Sequence, residues 1–423
     1  YVPERIGDLS MPPFLHDEDP WKAKKYTSVF TPGARPLVLC GRGAELAQFG
    51  RILECPGVQP LVVGDRGIGK TSLVEHAIGN EPGFVDVPCG VGIKFRDWAK
   101  VALMKIGYDF PDGELEATIR AEVDLKIATL AGKVVRKSVN RKFSDLGLSE
   151  LFTLFRDHQL PHILFADEFD RISVSHPNEI SHFADLIKQL AKCDPQRGPR
   201  LVVAAVTSRS RRIFRSHQSV HRHIEEVFLE KLSDRDLQLF LEQALVRMKV
   251  VSISEDVRDA LISSSMGRPY YLHAVALQAC FAAEGEAHKK GIGSRNGELY
   301  VTRSHYETGK EIAVQKVLDE TNPGFLKILN GPEGGARRVL ELIVLSGGQV
   351  AAAEMVALLE VRLRMAAGEI EKTLGVLTKE RVAVFDEGHW RLSDLHVLPF
   401  LRVKFQNDLP PPGSGTQADL PLW

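Results

Sequence analysis

Short, largely apolar runs alternate along the first half of the chain with stretches whose apolar residues recur every three or four positions. Pro60-Leu61-Val62-Val63, Phe84-Val85-Asp86-Val87, Ile163–Ala166 and Leu201–Val206 are of the first kind and predict buried strands. Leu46, Phe49, Ile52 and Leu53 have helical spacing, and further helices are predicted over Thr71–Ile78, Phe95–Ile106, Leu115–Leu130 and Asn178–Ala191. Apolar strands separated by amphipathic helices specify a parallel sheet covered on both faces, the α/β class. After Val206 the strand pattern stops. Ser233, with Asp236 three positions on, caps a helix whose apolar face holds Leu237, Phe240, Leu241 and Leu245. More helices are predicted at Glu255–Ser264, Pro269–Ala282, Ser304–Glu320 and Pro323–Leu329, with a polar loop over Glu284–Gly297. Past Gly331-Pro332-Glu333-Gly334-Gly335, helical patterns at Arg337–Leu345, Ala352–Leu359 and Gly368–Thr378 precede a hairpin. Its strands are Val382–Phe385 and His389–Leu392, and it turns at Asp386-Glu387-Gly388.

The 423 residues are 44% hydrophobic and 26% charged, which excludes a disordered or fibrous chain and allows two to four domains. The 54 Lys and Arg nearly balance 55 Asp and Glu, so no whole-molecule charge argues for nucleic acid or a membrane surface. The five cysteines, Cys40, Cys55, Cys89, Cys193 and Cys280, lack metal-pair spacing and fit a reducing cytoplasm. No run approaches a bilayer span, so no membrane partner is expected. Three helices and a hairpin after Gly331 describe a winged-helix domain. The organisation is an arm over 1–36, a sheet domain over 37–215, a helical lid and connector over 216–330, a winged helix over 331–405 and a Pro/Gly-rich flexible tail over 406–423.

The strongest chemical signal is Gly64-Asp65-Arg66-Gly67-Ile68-Gly69-Lys70-Thr71, followed by Ser72, between a buried-type strand and a helix. This is a complete phosphate loop: glycines let backbone N–H groups surround phosphate oxygens, and the helix N-terminus favours the same anion. Lys70 would reach the β- and γ-phosphates and Thr71 would ligate Mg²⁺. A second strand, Ile163–Ala166, delivers Asp167 beside that Mg²⁺ and Glu168 to polarise an attacking water, while Asp170 suits either a cap or a pair with Arg171. After the third strand come Thr207-Ser208-Arg209, of which Arg209 is the leading candidate to contact the γ-phosphate; Arg211, Arg212 and Arg215 are candidates for an arginine finger serving a neighbouring subunit.

Together these motifs resemble the AAA+/STAND P-loop ATPases, particularly small prokaryotic ATPases related to origin-recognition proteins. Gly41-Arg42 with Glu45-Leu46 is similar to that group's Gly-Arg-x-x-Glu-Leu motif, which implies Arg42 near the nucleotide base. Met266-Gly267-Arg268-Pro269 resembles the Gly-x-Pro motif of the lid, which implies Pro269 against bound nucleotide and Arg268 as a possible second sensor. The resemblance implies ATP and Mg²⁺ as cofactors, hydrolysis to ADP and phosphate, movement of the C-terminal domain at the loop near Gly331, and a homo-oligomer or a regulated effector protein as partner. A DNA-associated ATPase of replication-initiator or mobile-element type is one alternative, and a non-hydrolysing ATP-bound adaptor the other. From Gly331 onward ten cations face twelve acids, so the winged helix is a poor electrostatic match for DNA. The better basic patch is Arg136-Lys137 with Arg141-Lys142; Trp390 reads as a packed wing residue.

Overall fold

The computed structural model describes residues 25–78, 83–87, 89–90, 93–111, 137–158, 162–175, 179–193, 198–206, 214, 217–249, 251–289, 299–331, 334–362 and 364–407. The helix expected over Leu115–Leu130 and the residues beyond 407 lie outside them. Five strands form one parallel sheet in the order Phe84–Asp86, Ile163–Ala166, Arg200–Ala205, Gln59–Gly64, Ile224–Leu229. The central strands Gln59–Gly64 and Arg200–Ala205 are buried at every position, because alternate side chains enter two different cores. Leu61, Val63, Leu201 and Val203 point to the face covered by Phe95–Lys105, Leu148–Arg156 and Glu179–Leu190. Val62 and Val202 point to the other face, against Phe49 and Ile52 of Gly43–Glu54 and Leu73 and Val74 of Lys70–Ile78. Period-2 geometry thus turns a featureless apolar run into a two-sided layer.

The edge strand Ile224–Leu229 corrects the boundary expected at residue 215. It pairs along its length with Gln59–Gly64, so the sheet domain extends through Leu229. Its exposed Glu225, Glu226 and Phe228 break the apolar pattern, as an edge strand permits. The arm expected over 1–36 is also corrected from Tyr26 onward. Tyr26–Val29 is a helical turn whose Tyr26 and Val29, with Phe30, are buried in the helical domain. The Tyr26 hydroxyl donates to Glu284 at 2.5 Å, and the Thr31 N–H donates to His273 Nδ1 at 3.0 Å.

The helical domain comprises Asp234–Met248, Glu255–Ser265, Pro269–Lys289, Arg303–Thr321 and Pro323–Asn330. Ser233 caps the first of these, accepting from Asp236 N–H at 3.2 Å. Pro269–Lys289 runs through text expected to be loop, since Glu284 and Glu286 find partners in Tyr26 and His305. Gly309 lets Arg303–Thr321 approach Pro269–Lys289 so closely that a Cβ there would overlap the backbone of Ala279.

Helices Gly334–Leu345, Ala352–Arg362 and Ala367–Lys379 follow, with an antiparallel sheet of Gln349–Ala351, His389–Leu392 and Ala383–Asp386. The last helix, Leu398–Asn407, turns back onto the helical domain, where Phe400 meets Tyr271 with ring centroids 4.7 Å apart. Asn322 Nδ2 donates to Arg381 O at 2.8 Å, and Lys327 pairs with Glu380 at 2.5 Å. One apolar cluster runs unbroken from Tyr26 through the helical domain to Phe405. The helical and C-terminal parts therefore share a core, and the cores on the two faces of the sheet are separate from it.

Candidate functional site

The loop from Gly64 to Lys70 leaves the end of a central strand and enters the helix Lys70–Ile78. Gly67 and Gly69 have φ of +73° and +98°, which L side chains rarely adopt, and a Cβ on Gly67 would lie 3.1 Å from the Tyr270 Cβ. Lys70 Nζ bends back over the loop and donates to Gly64 O at 2.8 Å and Asp65 O at 2.9 Å. Burial lowers the pKa of this ammonium, against the opposing pull of Asp167, Asp170 and Asp65.

The strand Ile163–Ala166 carries the acids to the same end of the sheet. The Thr71 hydroxyl donates to Asp167 Oδ2 at 2.5 Å, and Asp167 Oδ1 accepts the Glu168 N–H at 2.7 Å. Glu168 sits at φ +52° and pairs with Arg171 at 3.0 Å. Burial raises its carboxyl pKa, with Arg171 and Arg66 pulling the other way. Asp170 is buried and accepts the Val206 N–H at 3.3 Å, tying the tip of the third strand to the acidic pair. Thr207, Ser208, Arg209, Arg211, Arg212 and Arg215 lie outside the described residues.

These groups open on a cavity of about 370 Å³, within the range of small-ligand sites. Its floor is Gly67 to Ser72 with Asp167 and Glu168; its roof is Leu232, Phe240, Pro269, Tyr270 and His273, and the segment Thr31–Cys40 closes one side. Pro269 lines the cavity. Arg42 borders it as a brace: its buried guanidinium donates to Ile68 O at 3.1 Å and Glu230 O at 2.8 Å and pairs with Glu45 at 3.0 Å. Gly41, φ +67°, is required because a Cβ there would meet Asp236 Cγ at 2.5 Å. Arg268 is not on the cavity wall; it is buried against Asp65 at 3.1 Å, and burial lowers its pKa.

Other contacts were hidden in the sequence. Arg66, a variable position of the loop, pairs with Asp394 of the C-terminal domain at 2.5 Å. Asp394 Oδ1 also accepts the His396 N–H at 3.1 Å, and the His396 and Tyr270 rings meet edge-to-face at 5.0 Å. Burial pushes the Asp394 carboxyl up, but the hydrogen bond from His396 and the charge of Arg66 outweigh it and hold it at about 2. Tyr270 N–H donates to Gly67 O at 3.3 Å, so with Arg268 on Asp65 and Asp394 on Arg66 the helical and C-terminal body touches the phosphate loop at three successive residues. The one local signal was Asp394 two residues before His396, a capping pattern that does not name Arg66 as a partner.

Such a loop, with acids at the tip of the strand one place beyond Arg200–Ala205 in the sheet and a helical roof, describes the fold of a P-loop ATPase. Among solved structures, the chain is similar to a Walker-type ATPase of Pyrococcus abyssi, at 16% identity and a TM-score of 0.55, over 88% of this chain and 99% of that one. It is also similar to the ORC1 protein of Aeropyrum pernix, solved in complex with DNA, at 16% identity and a TM-score of 0.47, over 91% and 98% of the two chains. A RuvB variant of Thermotoga maritima aligns at 12% identity and a TM-score of 0.42, over 88% and 96%. The first of these supports the fold. No protein-family model and no curated protein sequence matches the chain.

Proposed function

We propose that the protein is an ATP-dependent switch that binds Mg²⁺ and ATP in the cleft, hydrolyses ATP to ADP and phosphate, and uses the cycle to control a partner protein. The observation that carries this reading is the Arg66–Asp394 pair, which fastens the C-terminal domain to the loop that would hold the phosphates. The Thr71 hydroxyl and Asp167 carboxylate, already in contact, suit Mg²⁺, which takes one or two protein oxygens and completes its shell with water and phosphate. Mg²⁺, when bound, would neutralise charge on the β- and γ-phosphate oxygens.

Lys70 would exchange its two carbonyl acceptors for phosphate oxygens, and the N–H groups of Gly67 to Thr71 would cradle the same anion. Glu168, released from Arg171, would orient a water and accept its proton as the water oxygen attacks the γ-phosphorus and the bond to ADP breaks. Arg209 remains the choice for stabilising the γ-phosphate, and Pro269 with the Thr31–Cys40 segment for flanking the base and ribose. Because the helical and C-terminal parts share one core, they would move together against the sheet, at the Glu230–Leu232 connection rather than at Gly331. The small antiparallel sheet with its three helices is read as a winged helix, and the whole as a STAND-like, cytoplasmic protein able to form homo-oligomers.

Phosphate release from purified protein with Mg²⁺-ATP tests the enzyme. Glu168→Gln is expected to retain ATP and lose about 100-fold or more in turnover. Wild-type protein that holds ATP but releases no phosphate, even with DNA present, would leave the adaptor reading. A DNA-associated ATPase is the second reading, favoured by the exposed Lys137, Arg141 and Lys142 beside Phe143, whose ring also faces Arg96. Arg141 is partly neutralised by Glu150. Salt-dependent binding of duplex DNA that weakens on neutralising Lys137 and Lys142 would support it.

A further inference from the structure

A second cavity, of about 710 Å³, lies on the C-terminal domain, away from the phosphate loop. Ala367, Ile370, Leu374 and Thr378 recur at helical spacing along Ala367–Lys379 and form its floor; Val356 of Ala352–Arg362 and Trp390 of the hairpin form its walls. Val356 is 40% exposed, and Phe385, paired with Trp390 across the hairpin and ring-to-ring with it at 5.4 Å, is 57% exposed. Gly375 opens into the groove, and a Cβ built on it meets nothing within 4 Å. Glycine inside a helix costs about 1 kcal/mol relative to alanine. Packing within the chain does not require it at this position, whereas a partner backbone lying close against the groove would.

The groove is polar only toward its ends. Glu360 and Glu371 stand near the turn that joins the two helices, and Lys379 stands at the far end of Ala367–Lys379. We propose that it is the docking site for an amphipathic helix of a partner protein. The helix would run parallel to Ala367–Lys379, with a basic first turn at Glu360 and Glu371 and an acidic last turn at Lys379. The partner's dipole and its side-chain charges both complement the groove, because the N-terminus of a helix is its positive pole, and this attraction must exceed the few tenths of a kcal/mol by which a basic first turn and an acidic last turn weaken the isolated helix. About three turns span the floor at 1.5 Å per residue. Apolar residues at i, i+4 and i+7 would meet the apolar lining that Ile370, Leu374, Val356 and Trp390 provide. Duplex DNA suits this face poorly, since its floor is uncharged and its two acids would face phosphates. The inference rests on the groove alone and is independent of ATP turnover.

Two labelled synthetic helices with the same apolar positions test it on the full chain by fluorescence anisotropy. One carries Lys in its first turn and Glu in its last; the other has these charges exchanged. The first is expected to bind about tenfold more tightly at low salt. Glu360→Lys with Glu371→Lys should transfer the preference to the second peptide. Gly375→Lys, at an open helix position, should abolish binding of both while circular dichroism stays as in the wild type and the melting temperature is unchanged or raised. Equal binding of the two peptides, or binding that survives Gly375→Lys, overturns the proposal. So does binding of either peptide only after removal of residues 408–423, a concentration-dependent dimer lost in Gly375→Lys, or duplex DNA that displaces the peptide and is lost in Lys379→Glu.

Discussion

Replacing Asp394 by Asn isolates the charge that fastens the C-terminal domain to the phosphate loop. Asn can still accept the His396 N–H that Asp394 accepts at 3.1 Å, so the local cap survives and the ion pair with Arg66 does not. Two unit charges about 4 Å apart interact by about 4 kcal/mol at an effective dielectric near 20. The Arg66 side chain is 36% exposed and Asp394 11%, so solvent screening reduces the net contribution to about 1–2 kcal/mol. That is roughly a 5- to 30-fold change in an equilibrium. If phosphate oxygens and Asp394 compete for one guanidinium, Asp394→Asn should tighten Mg²⁺-ATP binding by that factor, measured by titration calorimetry. In an Arg66→Gln background the same substitution should change the affinity by less than about twofold, because the competed group is gone. Unchanged affinity in the single variant, or an equal effect in both backgrounds, would refute the competition.

Other consequences are equally direct. Lys70→Ala should lower ATP affinity by about 100-fold or more, yet leave the nucleotide-free melting temperature unchanged or raised, because a buried ammonium is removed; retained affinity in equilibrium dialysis would count against the site. Burial holds the His273 imidazole neutral, with its pKa lowered to about 4. The unfolded chain takes up that proton first, near pH 6.5, so His273 contributes stability above about pH 6.5 that is lost as pH falls toward 4, up to roughly 3 kcal/mol. Denaturant midpoints between pH 7 and 4.5 should fall less steeply, by one proton, in His273→Leu, and identical slopes would contradict the reading. Gly309→Val should cost about 1–3 kcal/mol or more, because its side chain overlaps the Ala279 backbone; an unfolding free energy within about 0.5 kcal/mol of wild type would show that the helices separate without strain.

The central strands and the phosphate loop were legible because buried parallel strands and phosphate cradles impose local, contiguous requirements on residue type. Ile224–Leu229 escaped because an edge strand tolerates exposed acids on both faces, here the successive Glu225 and Glu226. Tyr26, Val29 and Phe30 escaped for another reason. Their apolar side chains are few and set among Pro and charge, and distant residues of the helical domain make them core residues, Phe281 against Tyr26 and Phe240 and His273 against Phe30. Arg42 borders the cavity, but its motif does not reveal a brace between Ile68 and the strand end at Glu230. Arg66–Asp394 joins positions 328 apart. Neither residue has a neighbour that names the other, so this contact required the fold. The shared core of the helical and C-terminal parts was equally hidden, because Gly331 to Gly335 reads locally as a break while Tyr271 and Phe400 pack across it.

Hydrogen exchange of Ser393 to Val397, compared among nucleotide-free, ADP and non-hydrolysable ATP forms, tests the coupling of nucleotide to the C-terminal domain most directly. With Mg²⁺ and the ATP analogue, exchange in this segment should rise by roughly 5- to 30-fold over the nucleotide-free form as Arg66 turns to phosphate, and Lys70→Ala should abolish the rise. Equal exchange in all three forms, with nucleotide binding demonstrated in the same samples, would contradict the account.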